Sequence, residues 1–255
     1  MTDRKYVSLP WYESLQPTLQ GGHEVALLDS GAGFFPALEE AIASATECIY
    51  LETYIFQDDP TAMRIAGARA IREAGVLLET FRPERRRFSL DRQRLRRLHR
   101  KLTVVDGRIA FVGGINVLDD RYDPNHGLLE HPRLDYAVRV RGPLVAQVHV
   151  AAARLWWEVS VVNRSLRRGG ARAGETPPAP LHPPDAVRSE VTPAGRIRAA
   201  FLLRDNLRHR RTIERAYLRA IGRSRREVLI ASAYFFPGSR FRRALLEAVS
   251  RGVRV

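Results

Sequence analysis

An internal repeat limits the possible folds of this chain more than any other feature of the sequence. Residues 41–56 run Ala-Ile-Ala-Ser, then Ile-Tyr-Leu, then Tyr-Ile-Phe. Residues 220–236 follow the same pattern with Ala-Ile-Gly-Arg, then Val-Leu-Ile, then Tyr-Phe-Phe. In both, the end of a helix leads into an apolar strand, and a repeated supersecondary unit is the usual cause of such similarity. The repeat therefore predicts an α/β fold with two related halves.

Hydrophobic periodicity fills both halves with alternating strands and helices. Apolar residues at helical spacing predict helices, and short runs of β-branched and aromatic residues predict strands. The first half has predicted strands at 23–28, 48–56, 76–81 and 136–140, helices at 35–45, 61–73 and 144–157, and a hairpin at 102–112. The second half has predicted strands at 197–203, 227–236 and 253–255, and helices at 212–223 and 238–250. We expect a mixed sheet flanked by helices.

Changes in composition along the chain predict its domain organisation. Residues 1–22 form a polar leader, and residues 23–160 form the first half. Residues 161–196 are dominated by Arg, Gly, Ala and Pro, which predicts a linker without stable structure. Residues 197–255 then begin a second half that is incomplete when compared with the first.

The charge of the chain predicts a polyanionic partner. Lys and Arg total 42 against 28 acidic residues, which gives a formal net charge of +14. Between Arg82 and Lys101 there are nine arginines and one lysine. Such a run is suited to nucleic acid, an anionic lipid surface or a phosphate-bearing substrate. A GC-rich genome or a simply solvated face would also produce arginine, and both alternatives stay open at this point.

Several classes of protein are excluded or disfavoured by composition. Cys48 is the single cysteine of the chain, so an intramolecular disulfide is excluded and a reducing compartment fits best. The histidines lack the spacing of a metal site, so neither a metal nor another cofactor is expected. No apolar run approaches the roughly 20 residues that span a bilayer. A soluble or peripheral protein is therefore expected.

His99 and Lys101 form the chemical centre of the sequence. Residues two apart on a strand share a face, so these two side chains project together and Arg100 points to the other face. An imidazole serves near neutral pH as nucleophile or proton donor, and a lysine supplies positive charge for a phosphate oxygen. Asp106 follows as a third candidate catalytic residue. It also begins an Asp-Gly turn, and a type I′ turn alone would explain it.

Two glycines and an asparagine follow the predicted hairpin. Gly113 and Gly114 lack side chains, so a ligand could approach the backbone and bind its N–H groups. Asn116 could donate its amide to the same ligand. Gly114, Asn116 and Lys101 are therefore candidate phosphate-binding residues, although two glycines after a strand also suit an ordinary turn.

The motif His-x-Lys-x4-Asp followed by Gly-Gly-x-Asn resembles the signature of the phospholipase D superfamily. Within that superfamily, the flanking residues resemble the bacterial cardiolipin synthases. The matching segments are residues 51–56, 99–101, 135–139 with Gly142-Pro143, 204–206 and 233–238. The resemblance covers the chain from Glu24 to its last residue, apart from the linker. It implies a metal-independent exchange in which one histidine forms a phosphohistidine and a second histidine protonates the leaving alcohol.

The resemblance also assigns roles and shows a departure. It implies that Asp135 hydrogen-bonds a catalytic histidine and holds its tautomer, although an ordinary charged residue at a strand start would look the same. Relatives carry a second His-Lys-Asp motif in their second half, and this chain has one. The chain thus resembles an incomplete member, for which we expect little or no activity alone unless a homodimer completes the site.

Three functional hypotheses follow. The first is a phosphatidyltransferase of cardiolipin synthase type that acts on phosphatidylglycerol or a similar anionic phospholipid, peripheral to the cytoplasmic side of the bacterial inner membrane. In it the arginines that face the lipid are Arg94, Arg96, Arg97 and Arg100. The second is a nuclease or phosphodiesterase of the same superfamily, whose arginine run would follow a nucleic-acid backbone. The third is a non-catalytic remnant that binds anionic membrane or nucleic acid.

Overall fold

The structure is a computed structural model with two compact units. The first unit comprises Met1–Pro10 and Leu19–Ala200, and the second comprises Trp11–Thr18 and Phe201–Val255. The residues that the structure describes are 4–8, 18–54, 77, 79, 99–123, 126–167, 186–204, 209–232 and 235–255.

A six-stranded sheet forms the centre of the first unit. In chain order its strands are β2 (Gln20–Asp29), β3 (Ile49–Glu52), β4 (Lys101–Val105), β5 (Ile109–Gly113), β8 (Tyr136–Arg141) and β10 (Ile197–Ala199). Their spatial order is β10-β2-β8-β5-β4-β3, and each neighbouring pair is antiparallel. The predicted hairpin is confirmed as β4 and β5, since Asp106 and Gly107 have φ angles of 52° and 61°, as a type I′ turn requires.

Two small strand pairs complete the first unit. Strand β1 (Arg4–Ser8) pairs with β9 (Ala186–Glu190), and β6 (Tyr122–Asp123) pairs with β7 (Gly127–Leu128), both antiparallel. Residues 4–8 were expected in the polar leader and residues 186–190 in the linker. Both segments are strands here because they pair with each other, a contact between parts of the chain that local composition does not indicate.

Helix α1 (Ser30–Ala43) covers one face of the sheet. Phe34, Phe35 and Leu38 from this helix pack with Phe111 and Ala137 of the sheet, and all five are buried. Directly opposite residues of neighbouring strands share a face, and the register places Lys101 opposite Gly113, which in turn lies opposite Ala137. Lys101 therefore lies on the same face of the sheet as α1.

Helix α2 (Leu144–Arg167) covers the opposite face. Its residues Val145, Val148 and Ala152 are buried, and the helix packs on β3, β4, β5 and β8. Sequence periodicity predicted this helix only as far as residue 157, so the structure extends it by ten residues. A sheet with helices on both faces confirms the predicted α/β class. Among the described helices, none is both long enough and apolar enough to cross a membrane.

The second unit contains α3 (Thr212–Arg223) and α4 (Ser239–Ser250), which pack together. Its small core joins Ile221, Ala248 and Val253. A parallel bridge links Glu227 to Arg254, and it is what the described residues retain of the predicted strands 227–236 and 253–255.

Two further sequence predictions need comment. Of the predicted strand 197–203, only residues 197–199 form a strand, and this strand pairs with β2 in the sheet of the first unit. The predicted helix 61–73 lies outside the described residues, and of the predicted strand 76–81 only Leu77 and Glu79 are described.

Candidate active site

The structure brings His99 and Lys101 together, as strand alternation predicted. Lys101 is the first residue of β4, and His99 lies two residues before it. The Lys101 Nζ atom lies 3.4 Å from Nδ1 of the His99 ring and donates to the His99 carbonyl oxygen over 3.2 Å. The two side chains can therefore contact one phosphoryl group from adjacent positions.

The contact at Nδ1 has a consequence for the tautomer of His99. A lysine ammonium has only hydrogens to donate, so Nδ1 acts as the acceptor and the ring proton lies on Nε2. An imidazole in this tautomer donates from Nε2, which suits protonation of a leaving alcohol. Attack by Nε2 on phosphorus requires the other tautomer, in which Nδ1 donates to a carboxylate or another acceptor.

Lys101 lies in an environment that lowers its pKa. Partial burial of the ammonium is the larger effect and lowers the pKa, and the nearby negative charge of Asp135 opposes it. A small cavity beneath Lys101 is lined by residues of the sheet and of α1, among them Phe34, Phe111 and Gly113. The lysine therefore lies between an apolar wall and an acidic side chain.

Asp135 lies just before β8, close enough for its charge to act on Lys101. Its Oδ1 atom accepts the backbone N–H of Tyr136 over 2.8 Å, and its carbonyl oxygen accepts the N–H of Ser30, at the start of α1, over 2.8 Å. The neighbouring Asp120 accepts the N–H of Gly31. Burial raises the pKa of Asp120, and the charges of Asp119 and Asp135 raise it further against the hydrogen bond from Gly31.

Gly114 has a packing role in place of the predicted phosphate-binding one. Its N–H donates to the carbonyl oxygen of Tyr136 over 2.9 Å, so this group is already used within the protein. A Cβ atom on Gly114 would clash with the carboxylate of Asp135, and one on Gly113 would lie 2.5 Å from the Cα atom of Ala137. The two glycines thus allow Asp135 and β8 to approach β5 closely.

Asn116 lies near the end of β3. Its Oδ1 atom is 3.5 Å from the hydroxyl of Thr53, and the same hydroxyl accepts the N–H of Val117 over 3.4 Å. Thr53 thereby connects Asn116 to the end of β3, close to His99 and Lys101 in the fold. Asn116 keeps its place as a candidate phosphate-binding residue.

Asp106 is not brought to His99. It follows β4 at the end opposite Lys101, about 14 Å along a strand that rises about 3.4 Å per residue. Its carboxylate accepts backbone N–H groups from Thr46, Glu47 and Cys48 over 2.8, 2.8 and 2.9 Å. Burial would raise the pKa of Asp106, but these hydrogen bonds outweigh it and lower the pKa to about 2. Asp106 anchors the loop after α1, and its predicted catalytic role is corrected accordingly.

Arg100 is also placed differently from its predicted role. It points to the α2 face, as alternation predicted, but it faces protein and not lipid. Its Nη2 atom donates to Glu52 Oε1 over 2.6 Å and to the carbonyl oxygen of Ala151 in α2 over 3.1 Å. Burial raises the pKa of Glu52, and the charge and hydrogen bonds of Arg100 oppose this. The other predicted lipid-facing arginines lie outside the described residues, namely Arg94, Arg96 and Arg97.

Tyr54 is a site residue whose role the sequence did not indicate. Its ring stacks on the His99 imidazole, with centroids 3.8 Å apart and an angle of 25° between the planes. The Lys101 Nζ atom lies 5.4 Å from the centroid of the same ring. The sequence showed Tyr54 as part of an apolar strand and of the family resemblance, and neither pattern tells which side chain it contacts.

Comparison with known proteins supports the resemblance that these residues carry. The chain is 35% identical to cardiolipin synthase B of Salmonella typhimurium and 34% identical to cardiolipin synthase B of Escherichia coli K12. Each alignment covers 92% of this chain and 59% of the relative. Cardiolipin synthase A of Pseudomonas putida GB-1 is 28% identical over 91% of this chain and 50% of its own length.

Two further comparisons add little. No protein-family model matches the chain. Among solved structures, NucT from Helicobacter pylori is similar with a TM-score of 0.29 and 12% identity, over 47% of this chain and 86% of that one, a likeness too small to support a conclusion.

The sequence similarity to curated proteins is therefore the informative result. This chain spans about three fifths of the length of the cardiolipin synthases B that it matches. The matched part includes His99, Lys101 and their surroundings, since it takes in nine tenths of the chain. The chain is thus a homologue of the bacterial cardiolipin synthases, and the resemblance predicted from its His-Lys motif and flanking residues is confirmed.

Proposed function

We propose that the protein to which this chain belongs is a phosphatidyltransferase of cardiolipin synthase type. One observation carries the proposal: His99 and Lys101 contact each other on one sheet face beside Asp135, within a chain that is 35% identical to a cardiolipin synthase B. Imidazole, ammonium and carboxylate are the groups that metal-independent phosphoryl transfer requires. The family similarity supplies the class of substrate, which geometry alone does not.

The proposed reaction has two steps. An imidazole nitrogen attacks the phosphorus of a phosphatidyl group, so that a P–N bond forms and the P–O bond to the leaving alcohol breaks. A second imidazole protonates the leaving alcohol. In the second step, an acceptor alcohol loses its proton to that second imidazole and displaces the histidine from phosphorus. Lys101 and Asn116 stabilise the phosphate oxygens, and Asp135 holds the tautomer of the attacking histidine.

The proposed substrate is an anionic phospholipid such as phosphatidylglycerol, met at the cytoplasmic surface of the bacterial inner membrane. A net charge of +14 favours peripheral attachment to such a surface. Because one His-x-Lys-x4-Asp motif supplies one histidine, the second has to come from outside this motif. A second motif in a longer chain and a homodimer are the two ways to supply it.

The test is incubation of the complete protein with phosphatidylglycerol vesicles, with cardiolipin and glycerol as the measured products. We expect both products in equal amounts, and a loss of at least about a hundredfold in kcat for His99→Ala. His126→Ala, which removes an exposed histidine elsewhere, is the matched control and should keep full activity. Absence of cardiolipin, or equal production by His99→Ala, would contradict the proposal.

A nuclease or phosphodiesterase is the second candidate, and the arginine run between Arg82 and Lys101 favours it. A basic run of this density is suited to a phosphate backbone. Degradation of single-stranded DNA without any lipid turnover would select this function. Binding to anionic vesicles without turnover of either substrate would instead indicate a non-catalytic protein.

A further inference from the structure

The orientation of the His99 ring needs an explanation beyond the covalent structure of the side chain. The torsion that rotates an imidazole about its bond to Cβ has broad minima, so the side chain alone does not fix the plane of the ring. The contact with Lys101 constrains one point on the ring edge, at Nδ1. A contact on the ring face is needed to fix the plane.

Tyr54 supplies that contact. With 3.8 Å between centroids and 25° between planes, its ring covers a face of the imidazole. Stacking on a face leaves the ring edge, where both nitrogen atoms direct their lone pair or hydrogen, to the chemistry. The same ring lies 5.4 Å from the Lys101 Nζ atom, within the distance of about 6 Å at which an ammonium is attracted to an aromatic face. One aromatic ring thus contacts both residues of the motif.

The position of Tyr54 is itself well determined. Glu52 lies opposite Leu102 in the β3–β4 pair, so the chain that leaves β3 passes residues 99–101. On the α2 face, the Glu52 carboxylate binds Arg100. Thr53, between Glu52 and Tyr54, accepts the N–H of Val117. These contacts hold the backbone on the N-terminal side of Tyr54 against the strand that carries the motif.

We propose that Tyr54 is a positioning residue of this site: its ring fixes the plane of the His99 imidazole and the place of the Lys101 ammonium. The effect on turnover rests on the proposed phosphatidyltransfer, whereas the effect on the His99 ring does not. The role uses the aromatic face, so phenylalanine can replace tyrosine and an aliphatic side chain cannot.

The first experiment measures the stacking without any substrate. The His99 ring signals are recorded by NMR in the wild type and in Tyr54→Phe and Tyr54→Leu, and they are assigned by their loss in His99→Asn. An aromatic ring over the imidazole face shifts its protons upfield. We expect the upfield shift in the wild type and Tyr54→Phe and its loss in Tyr54→Leu. Tyr122→Leu, at an exposed strand remote in sequence, is the control and should leave the His99 signals unchanged.

The second experiment measures turnover of phosphatidylglycerol by the complete protein. We expect Tyr54→Phe to stay within about twofold of the wild type, and Tyr54→Leu to lose about tenfold to a hundredfold in kcat, with KM changed by less than about twofold. Circular dichroism confirms that each variant is folded.

The outcomes separate the two proposals. If the wild type turns over no lipid, the proposed function fails and the NMR shifts alone decide the role of Tyr54. His99 signals that are the same in Tyr54→Leu and the wild type overturn the positioning role. Full turnover by a folded Tyr54→Leu, or a loss confined to KM, overturns it as well.

Discussion

At the scale of single residues, Asp106 shows how a motif residue can serve the fold. Its buried carboxylate gathers three backbone N–H groups and the Thr46 hydroxyl, all from the loop after α1. These donors have no other acceptor in that set of contacts, so the carboxylate replaces the turns of backbone hydrogen bonding that a loop lacks. The sequence predicted the Asp-Gly turn correctly, but its partners lie about 60 residues earlier and no local pattern indicates them.

Asp106→Asn should destabilise the fold and change its response to acid. The pKa of about 2 lies below the usual 3.8, so the carboxylate contributes roughly 2 kcal/mol that is complete above about pH 4 and is lost as the pH falls toward 2. Urea unfolding between pH 2 and 7 measures this. The variant should lose stability at pH 7 and show a smaller decrease in acid. Asp29→Asn, at an exposed carboxylate, is the control. An unchanged acid response in Asp106→Asn would refute the assignment.

His149 gives a second dependence on pH, at a different range. This histidine of α2 is 4% exposed, its Nδ1 atom lies 3.0 Å from the Ser189 hydroxyl, and burial lowers its pKa to about 4. Because the unfolded chain binds a proton near pH 6.5 and the folded chain does not, stability should fall by roughly 3 kcal/mol as the pH decreases from 6.5 to 4. Thermal unfolding in this range measures the slope. His149→Gln should flatten it, and an equal slope in that variant would show that another group is responsible.

At the scale of secondary-structure elements, the contact of Arg100 with Glu52 and Ala151 joins β3, the approach to β4 and helix α2. Alternation along the strand correctly predicted that His99 and Lys101 share a face and that Arg100 lies on the other. The partner of Arg100 was not predictable, because Glu52 and Ala151 lie 48 and 51 residues away in the chain. An arginine in a basic run suggests a solvent or lipid contact, and only the assembled sheet shows the buried carboxylate that binds it.

The ion pair predicts a non-additive pair of substitutions. The side chains of Arg100 and Glu52 are only 19% and 14% exposed, so Arg100→Met leaves a nearly buried carboxylate without its partner and should cost about 3 kcal/mol. Adding Glu52→Leu should recover much of that loss. Urea unfolding measures both. Arg188→Met, from a pair that is 54% and 37% exposed, should cost less than about 1 kcal/mol. Additive losses from the two substitutions would contradict the buried pair.

At the scale of the whole molecule, the sequence predicted the α/β class, the hairpin and most helices, because these depend on local periodicity. It did not predict the partnership of β1 with β9 or of β10 with β2. Both join segments more than 170 residues apart, and in both cases composition suggested leader, linker or a separate half. Long-range pairing of this kind follows from the assembled sheet and leaves little trace in the pattern of either strand.

The charge of the molecule predicts its behaviour with lipid surfaces. With a net charge of +14, the chain should bind vesicles of phosphatidylglycerol and should bind phosphatidylcholine vesicles far more weakly. Raising the salt from 50 to 500 mM should weaken binding by about tenfold or more, since screening shortens the range of surface electrostatics. Sedimentation with vesicles measures both effects. Equal binding to the two lipids, or binding that salt leaves unchanged, would refute a mainly electrostatic attachment.

This chain alone should turn over lipid weakly or not at all, because its one motif supplies one histidine where the proposed chemistry uses two. The assay for cardiolipin, carried out at known oligomeric state, checks this. Robust turnover by a demonstrated monomer would contradict it, whereas activity that rises with dimer concentration would indicate a site completed by a second copy.

The turn between β4 and β5 has one more consequence. Gly107 accepts the N–H of Glu190 in β9 over 2.9 Å, and a Cβ atom at this position would clash with the carbonyl group of Arg188. Its φ of 61° is a second reason for glycine. In a library that carries every substitution at every position and is selected only for folding, position 107 should tolerate almost none. A map of mutational tolerance would then mark this turn as strongly as the chemistry itself, although it lies at the far end of β4 from His99.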